Sequence, residues 1–135
     1  MPSADINYLT VLVAAILSMV IGAIWYSPQV FGTQWMKLTG KKEKDFKEGG
    51  SSGYVVAGLG FLLINYVMAH FVQYAGSNTL ATGVETGFWL WLGFSASVLA
   101  INSAFSLRPQ KLWAIDAGYY LACFLVSGAL LATWV

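Results

Sequence analysis

The chain has 135 residues, of which 58% are hydrophobic and only 10% charged, against about a quarter charged in an ordinary soluble domain. A mean hydropathy of +0.66, with six Trp, eight Phe and seven Tyr, makes lipid the expected solvent. Seven cations on so apolar a chain leave no basic face for nucleic acid, and a single cysteine, Cys123, excludes an internal disulfide and any cysteine-based metal cluster.

Crossing a bilayer takes about 20 apolar residues at roughly 1.5 Å each. Four runs reach that length: approximately 6–26, 54–74, 86–105 and 112–134. Backbone groups in lipid must be satisfied within the spanning structure, and continuous runs of this length do so as helices. The expected fold class is therefore an all-α membrane protein. It has four transmembrane helices in a bundle, forming a single domain over residues 1–135. Asp5 stands where a signal peptide would carry a basic residue, and no cleavage pattern comes after it, so helix one is expected to be retained.

Helix one carries Asn7, Ala14, Ser18 and Gly22 close to one stripe, and small residues mark where membrane helices approach closely. It leaves the apolar run through "GAIWYSPQVFGTQWMKLTG". Pro28 disfavours helix at Ser27 and can restart one as a first-turn residue. A short interfacial amphipathic segment is expected here, an elbow built on Trp25, Tyr26, Ser27, Pro28, Phe31, Gly32 and Trp35. Val30, Phe31, Trp35 and Leu38 would dip into the boundary while Gln29, Gln34 and Lys37 face water. The elbow is expected to dock under the bundle near Asp116.

A basic segment spans 37–53, with Lys37, Lys41, Lys42, Lys44 and Lys47 diluted by Glu43, Asp45 and Glu48. It reads as a solvated connector whose lysines set orientation, with electrostatic contact to anionic lipid or a partner as the alternative. The other two cations, Arg108 and Lys111, come after helix three, so all seven fall at one end of the bundle. The positive-inside rule then places both basic segments in the cytoplasm and both termini outside, across the cell inner membrane.

In helix two, Asn65 is expected to be interhelical hydrogen-bond glue, as is Asn102 in helix three. His70, near the end of helix two, and Glu85, near the start of helix three, would lie at similar depth in an antiparallel hairpin. They are a candidate proton-sensing pair. The alternatives are an interface-anchoring histidine and a capping box in which Glu85 serves Thr82. Helix three shows Gly93, Ala96, Ser97, Ala100, Ser103 and Ala104 as a small-residue face, and Gly83-x-x-x-Gly87 precedes it. Trp89 and Trp91, with Trp25, Trp35, Trp113 and Trp134, read as aromatic belts.

Helix four repeats polar residues at Asp116, Tyr120, Cys123 and Ser127, one helical stripe. Asp116 is either a first-turns carboxylate met by Arg108, Lys111 or Lys37, or an inward-facing group at the mouth of a polar seam. No catalytic constellation stands out: one His and one Cys on separate spans make neither a nucleophile–base pair nor a metal site. No G-x-G-x-x-G or Walker sequence occurs. No cofactor is expected, and no enzymatic activity.

The quoted elements also carry a family pattern. Asn7 and Tyr8, Gly22, Trp25–Tyr26–Ser27–Pro28, Phe31–Gly32 and Trp35, then Gly87, Trp91, Leu92, Gly93, Phe94, Asp116, Gly118 and Tyr119 resemble the bacterial membrane family catalogued as domain of unknown function 1761. The resemblance covers essentially the whole chain and implies four spans, without an activity. The expected function is a self-associating bundle serving transport or channelling of protons or a small solute. The alternatives are a structural or lipid- or partner-binding subunit, and a lipid-modifying enzyme using His70 with Glu85 or Asp116. A bundle of four helices has one layer of interior, so a homo-oligomer in the lipid bilayer would be the vessel for any pathway.

Overall fold

A computed structural model describes residues 1–135. It is all helix: α1 (Tyr8–Trp25), α2 (Gly32–Thr39), α3 (Glu43–Glu48), α4 (Ser52–Tyr74), α5 (Leu80–Trp91), α6 (Ser97–Phe105) and α7 (Gln110–Thr133). A π-helical turn over Leu92–Ala96 joins α5 to α6, so residues Leu80–Phe105 form one continuous span. Four spans, Tyr8–Trp25, Ser52–Tyr74, Leu80–Phe105 and Gln110–Thr133, are long and apolar enough to cross a membrane. The protein is a multi-pass membrane protein built as a four-helix bundle.

The bundle is organised around α7, which packs against α1, α4, α5 and α6, while α4 and α5 barely touch. Burial has the same plan. Val11, Met68, Ala69, Val72, Leu131 and Ala132 fill the end nearer the termini, and Ala15, Phe61, Tyr119 and Cys123 the end nearer the elbow. Asn7 starts α1 as a cap, its side chain accepting from the N–H groups of Leu9 and Thr10 at 3.1 and 3.3 Å. Ala14 and Ser18 lie buried behind it, so the small stripe of helix one does face the interior.

The third span departs most from the sequence reading. It begins at Leu80, capped by the Thr79 side chain, which accepts from the Thr82 N–H. The first two turns, "LATGVETG", mix polar and apolar residues, so hydropathy alone locates the start of this helix too late. The capping box belongs to Thr79 and Thr82, and Glu85, exposed on the second turn, plays no part in it. With the start moved back, Trp89 and Trp91 lie well inside the span and not at its interface. The close packing lies at Gly83 and Gly87, both buried against α7. A Cβ on Gly83 would strike the Gly128 carbonyl, and one on Gly87 the Phe124 carbonyl. Beyond the π turn the register rotates. Of the predicted face Gly93, Ala96, Ser97, Ala100, Ser103 and Ala104, only Ala96 is buried.

Three indoles hold the spans together by donating to main-chain carbonyls. Trp25 Nε1 bonds the Ile115 oxygen at 3.0 Å, Trp91 Nε1 the Ala117 oxygen at 2.8 Å, and Trp113 Nε1 the Ala96 oxygen at 3.1 Å. These tryptophans are helix-to-helix ties before they are interface anchors. Asn65 makes no interhelical bond: fully buried, it donates Nδ2 to Phe61 O of its own helix at 2.8 Å, and its Oδ1 has no partner. A buried acceptor left unpaired costs about 1–3 kcal/mol. Asn65→Leu, similar in volume, is therefore expected to keep or raise stability in detergent. A loss beyond about 2 kcal/mol in a denaturation series would mean that Oδ1 is satisfied in the folded protein.

Candidate functional site

The elbow end of the bundle is built by a tight reversal after α1. Ser27 Oγ donates to Ile24 O at 2.7 Å, Phe31 N to Trp25 O at 3.0 Å, and Gly32 N to Ser27 O at 2.9 Å. A Cβ on Gly32 would collide with the Tyr26 carbonyl and lie 2.8 Å from that of Ser27. Only glycine lets α2 turn back this closely. Ser27–Pro28 ends the first span, and Phe31–Gly32 folds α2 beneath it.

This reversal carries the aromatic residues onto α7. Tyr26 Oη donates to Asp116 Oδ1 at 2.6 Å. Beside it the Trp25 ring crosses α7 at Gly118, where any Cβ would sit 3.0 Å from the indole. Tyr119 Oη donates to Ser18 O at 2.7 Å, an approach open because Gly22 has no side chain: a Cβ there would lie 2.7 Å from the Tyr119 hydroxyl. Trp35 stands edge-on to Tyr26 with centroids 5.9 Å apart and tilts against Phe46 at 5.7 Å. Phe46 belongs to α3, so the basic segment is not a bare connector. It folds a short helix, with Asp45 accepting from Lys42 N at 2.8 Å, and brings an aromatic ring to the elbow.

Between these elements lies a cavity of about 740 Å³ walled by Tyr26, Trp35, Phe46, Tyr54, Asp116 and Tyr120 among others. A second, of about 640 Å³, shares Tyr26, Phe46, Tyr54 and Tyr120 with it and reaches Phe61 and Tyr119 between α1, α4 and α7. Together they form a vestibule at the lysine-rich end. Asp116 sits half-buried in its wall. The sequence offered Arg108, Lys111 or Lys37 as its partner, but no cation comes within ion-pair distance, and Tyr26 takes that place. The Asp116 stripe does face inward: Tyr120 lines both cavities, and Cys123 and Ser127 are buried behind it.

Residues 9–132 match the family described as a protein of unknown function (DUF1761). The chain belongs to this family. No curated protein and no solved structure matches it. Of the residues that carry the family resemblance, Gly22, Trp25, Tyr26, Gly32, Trp35, Asp116, Gly118 and Tyr119 meet at this end of the bundle, whereas Asn7 and Tyr8 start α1 at the opposite end and Gly87, Trp91, Leu92, Gly93 and Phe94 lie along the third span.

The other candidates are not drawn together. His70 Nδ1 is bonded to Tyr66 O at 2.9 Å, and its ring lies between Tyr66 and Tyr74 at 4.8 and 6.1 Å. Glu85 makes no ion pair, and the His70–Glu85 pair does not form. Their helices are consecutive but meet only slightly: α4 docks chiefly on α1 and α5 on α7. Asn102 is exposed on α6, with no interhelical partner. Sequence reading missed Tyr54 and Phe46 as wall residues, because both are contributed by segments that appear as solvated connector or plain span. Tyr26→Phe is expected to cost about 1.5–3 kcal/mol, the range for a hydrogen bond to a charged group. An unchanged denaturation midpoint in detergent would show that the Tyr26–Asp116 bond adds nothing to the fold.

Proposed function

We propose that this family member binds a small solute in the vestibule at Asp116 and, as a self-associated bundle, moves that solute or a proton across the membrane without catalysing a reaction. The observation that carries this reading is the half-buried Asp116 carboxylate, tied to Tyr26 in the wall of a cavity of about 740 Å³. Ionisable groups within a span face protein or water and mark pathways. That all Lys and Arg lie at the vestibule end supports a cytoplasmic opening in the cell inner membrane, with both termini outside. The bundle is closed by side chains at its other end, where Val11, Met68, Val72 and Leu131 pack together, so passage requires more than the single resting bundle. Self-association has a candidate surface in the third span. It leans on α7 along one side and leaves Asn102, Ile101 and Phe105 exposed on α6, where a polar side chain in lipid seeks a partner.

The test is flux in liposomes holding the purified protein, across a solute panel and an imposed pH gradient. Asp116→Asn should reduce flux at least about tenfold, the factor that a loss of about 1.4 kcal/mol in solute affinity gives below saturation. Flux no different from empty liposomes over the whole panel would end the transport reading.

A further inference from the structure

We propose that the vestibule recognises organic cations: an amine or quaternary ammonium group placed against Asp116 and over the faces of Tyr26, Trp35 and Tyr120, with the apolar body of the molecule among Phe46 and Tyr54. This names the solute class for the vestibule and rests on its being a solute-binding site.

Three observations converge on a cation. The first is the wall chemistry. Five aromatic residues, Tyr26, Trp35, Phe46, Tyr54 and Tyr120, line a single cavity, and the electron-rich face of an aromatic ring attracts a cation within about 6 Å. Trp35 is clasped by Tyr26 on one side and Phe46 on the other, which fixes the cage before any ligand arrives. The second is Asp116. Its carboxylate is bonded in the cavity wall by the Tyr26 hydroxyl at 2.6 Å, and no Lys or Arg comes within ion-pair distance of it. A half-buried carboxylate with no Lys or Arg in ion-pair contact is complementary to a positive ligand.

The third is what the lining leaves out. Five lysines lie between residues 37 and 47, yet none lines either cavity, whereas Glu43 and Asp45 do. Those two are engaged elsewhere: Glu43 pairs with Lys47 at 4.0 Å on the exposed side of α3, and Asp45 accepts from Lys42 N. Asp116 is the half-buried carboxylate of the wall, and the charged side chains that an anion would meet in these linings are all acidic. A volume of about 740 Å³ suits a small organic molecule, being within the range of ordinary ligand pockets, and is far larger than a bare metal ion requires.

The experiment uses the full chain in nanodiscs of zwitterionic lipid, with two probes of one shape and opposite charge, tetraphenylphosphonium and tetraphenylborate. Binding is read by tryptophan fluorescence and calorimetry after subtracting empty nanodiscs. Tetraphenylphosphonium should bind at least about tenfold more tightly than tetraphenylborate, and Asp116→Asn should erase most of that difference. Tyr54→Leu alters an exposed wall residue and is expected to weaken the phosphonium by about two- to fivefold while leaving the fold unchanged. It carries the test if the Asp116 variant does not fold. Equal binding of both ions overturns the cation assignment and leaves the vestibule as a site for an uncharged solute. Failure of both ions to bind also overturns it, and the liposome panel then decides independently whether the vestibule binds anything.

Discussion

Gly87→Leu is expected to separate the third span from α7 and leave the chain folded as a three-helix remnant or degraded. At Gly87 the two backbones are in direct contact, so a Cβ alone would overlap the Phe124 carbonyl, and Gly83 and Gly128 meet in the same crossing one turn away. Neither side can yield by rotating a side chain, because the obstacle is main chain. Overpacking of a rigid interior costs about 1–3 kcal/mol and sometimes more, and here the whole helix must withdraw. In lipid no hydrophobic effect pulls the helices back together once close approach is lost. The Trp91 indole bond to Ala117 O would break with it. Cysteines placed on α5 and α7 across this crossing should form a cross-link in the unchanged protein and not in the Gly87→Leu variant. Persistent cross-linking at native yield would show that the crossing tolerates a side chain.

The second large effect is expected at Gly32. Gly32→Val should release the elbow, since a Cβ there meets the Tyr26 and Ser27 carbonyls at once. The consequence differs from the Gly87 case. The spans remain packed, because their contacts with α7 do not pass through α2, but Trp35 is withdrawn from the Tyr26 ring and the vestibule loses a wall. The expected result is a near-native span bundle with Trp35 transferred to water or lipid, seen as a shifted tryptophan emission, and solute binding lowered at least about tenfold. Limited proteolysis after Lys37 or Lys41 should accelerate. Native emission and unchanged cleavage together would show that the reversal does not depend on this glycine.

Much of the architecture is legible in the chain because lipid imposes a simple rule on it. Three of the spans expected from apolar runs, 6–26, 54–74 and 112–134, fall within two residues of the helices Tyr8–Trp25, Ser52–Tyr74 and Gln110–Thr133. The third fails for a physical reason: its first turns trade hydropathy for the glycines that let it press on α7, so a reading based on oiliness discards the segment that packs best. The small-residue face over 93–104 fails for another, since a continuous 3.6-residue period does not anticipate a π turn. At the site, the residue types could be recognised and their arrangement could not. Asp116, Tyr120, Trp25, Tyr26 and Trp35 stand out as polar or aromatic in apolar surroundings, but the Tyr26–Asp116 bond joins positions 90 apart in sequence. His70 and Glu85 illustrate the opposite error. Chain order places them side by side, whereas α4 packs chiefly on α1 and α5 on α7.

The indole bonds that tie the spans have one property that side-chain pairing lacks. Trp25 and Trp91 address the oxygens of Ile115 and Ala117, and Trp113 that of Ala96; each acceptor is a peptide group present whatever residue occupies the position. The recognition is thus one-sided. Residues 115, 117 and 96 can be exchanged for others of similar bulk without changing the acceptor, while loss of a tryptophan cannot be repaired by any exchange at the position it contacts. Drift should therefore run freely along one partner of each tie and be held on the other, and second-site suppressors of a tryptophan loss should arise away from the helix it had gripped.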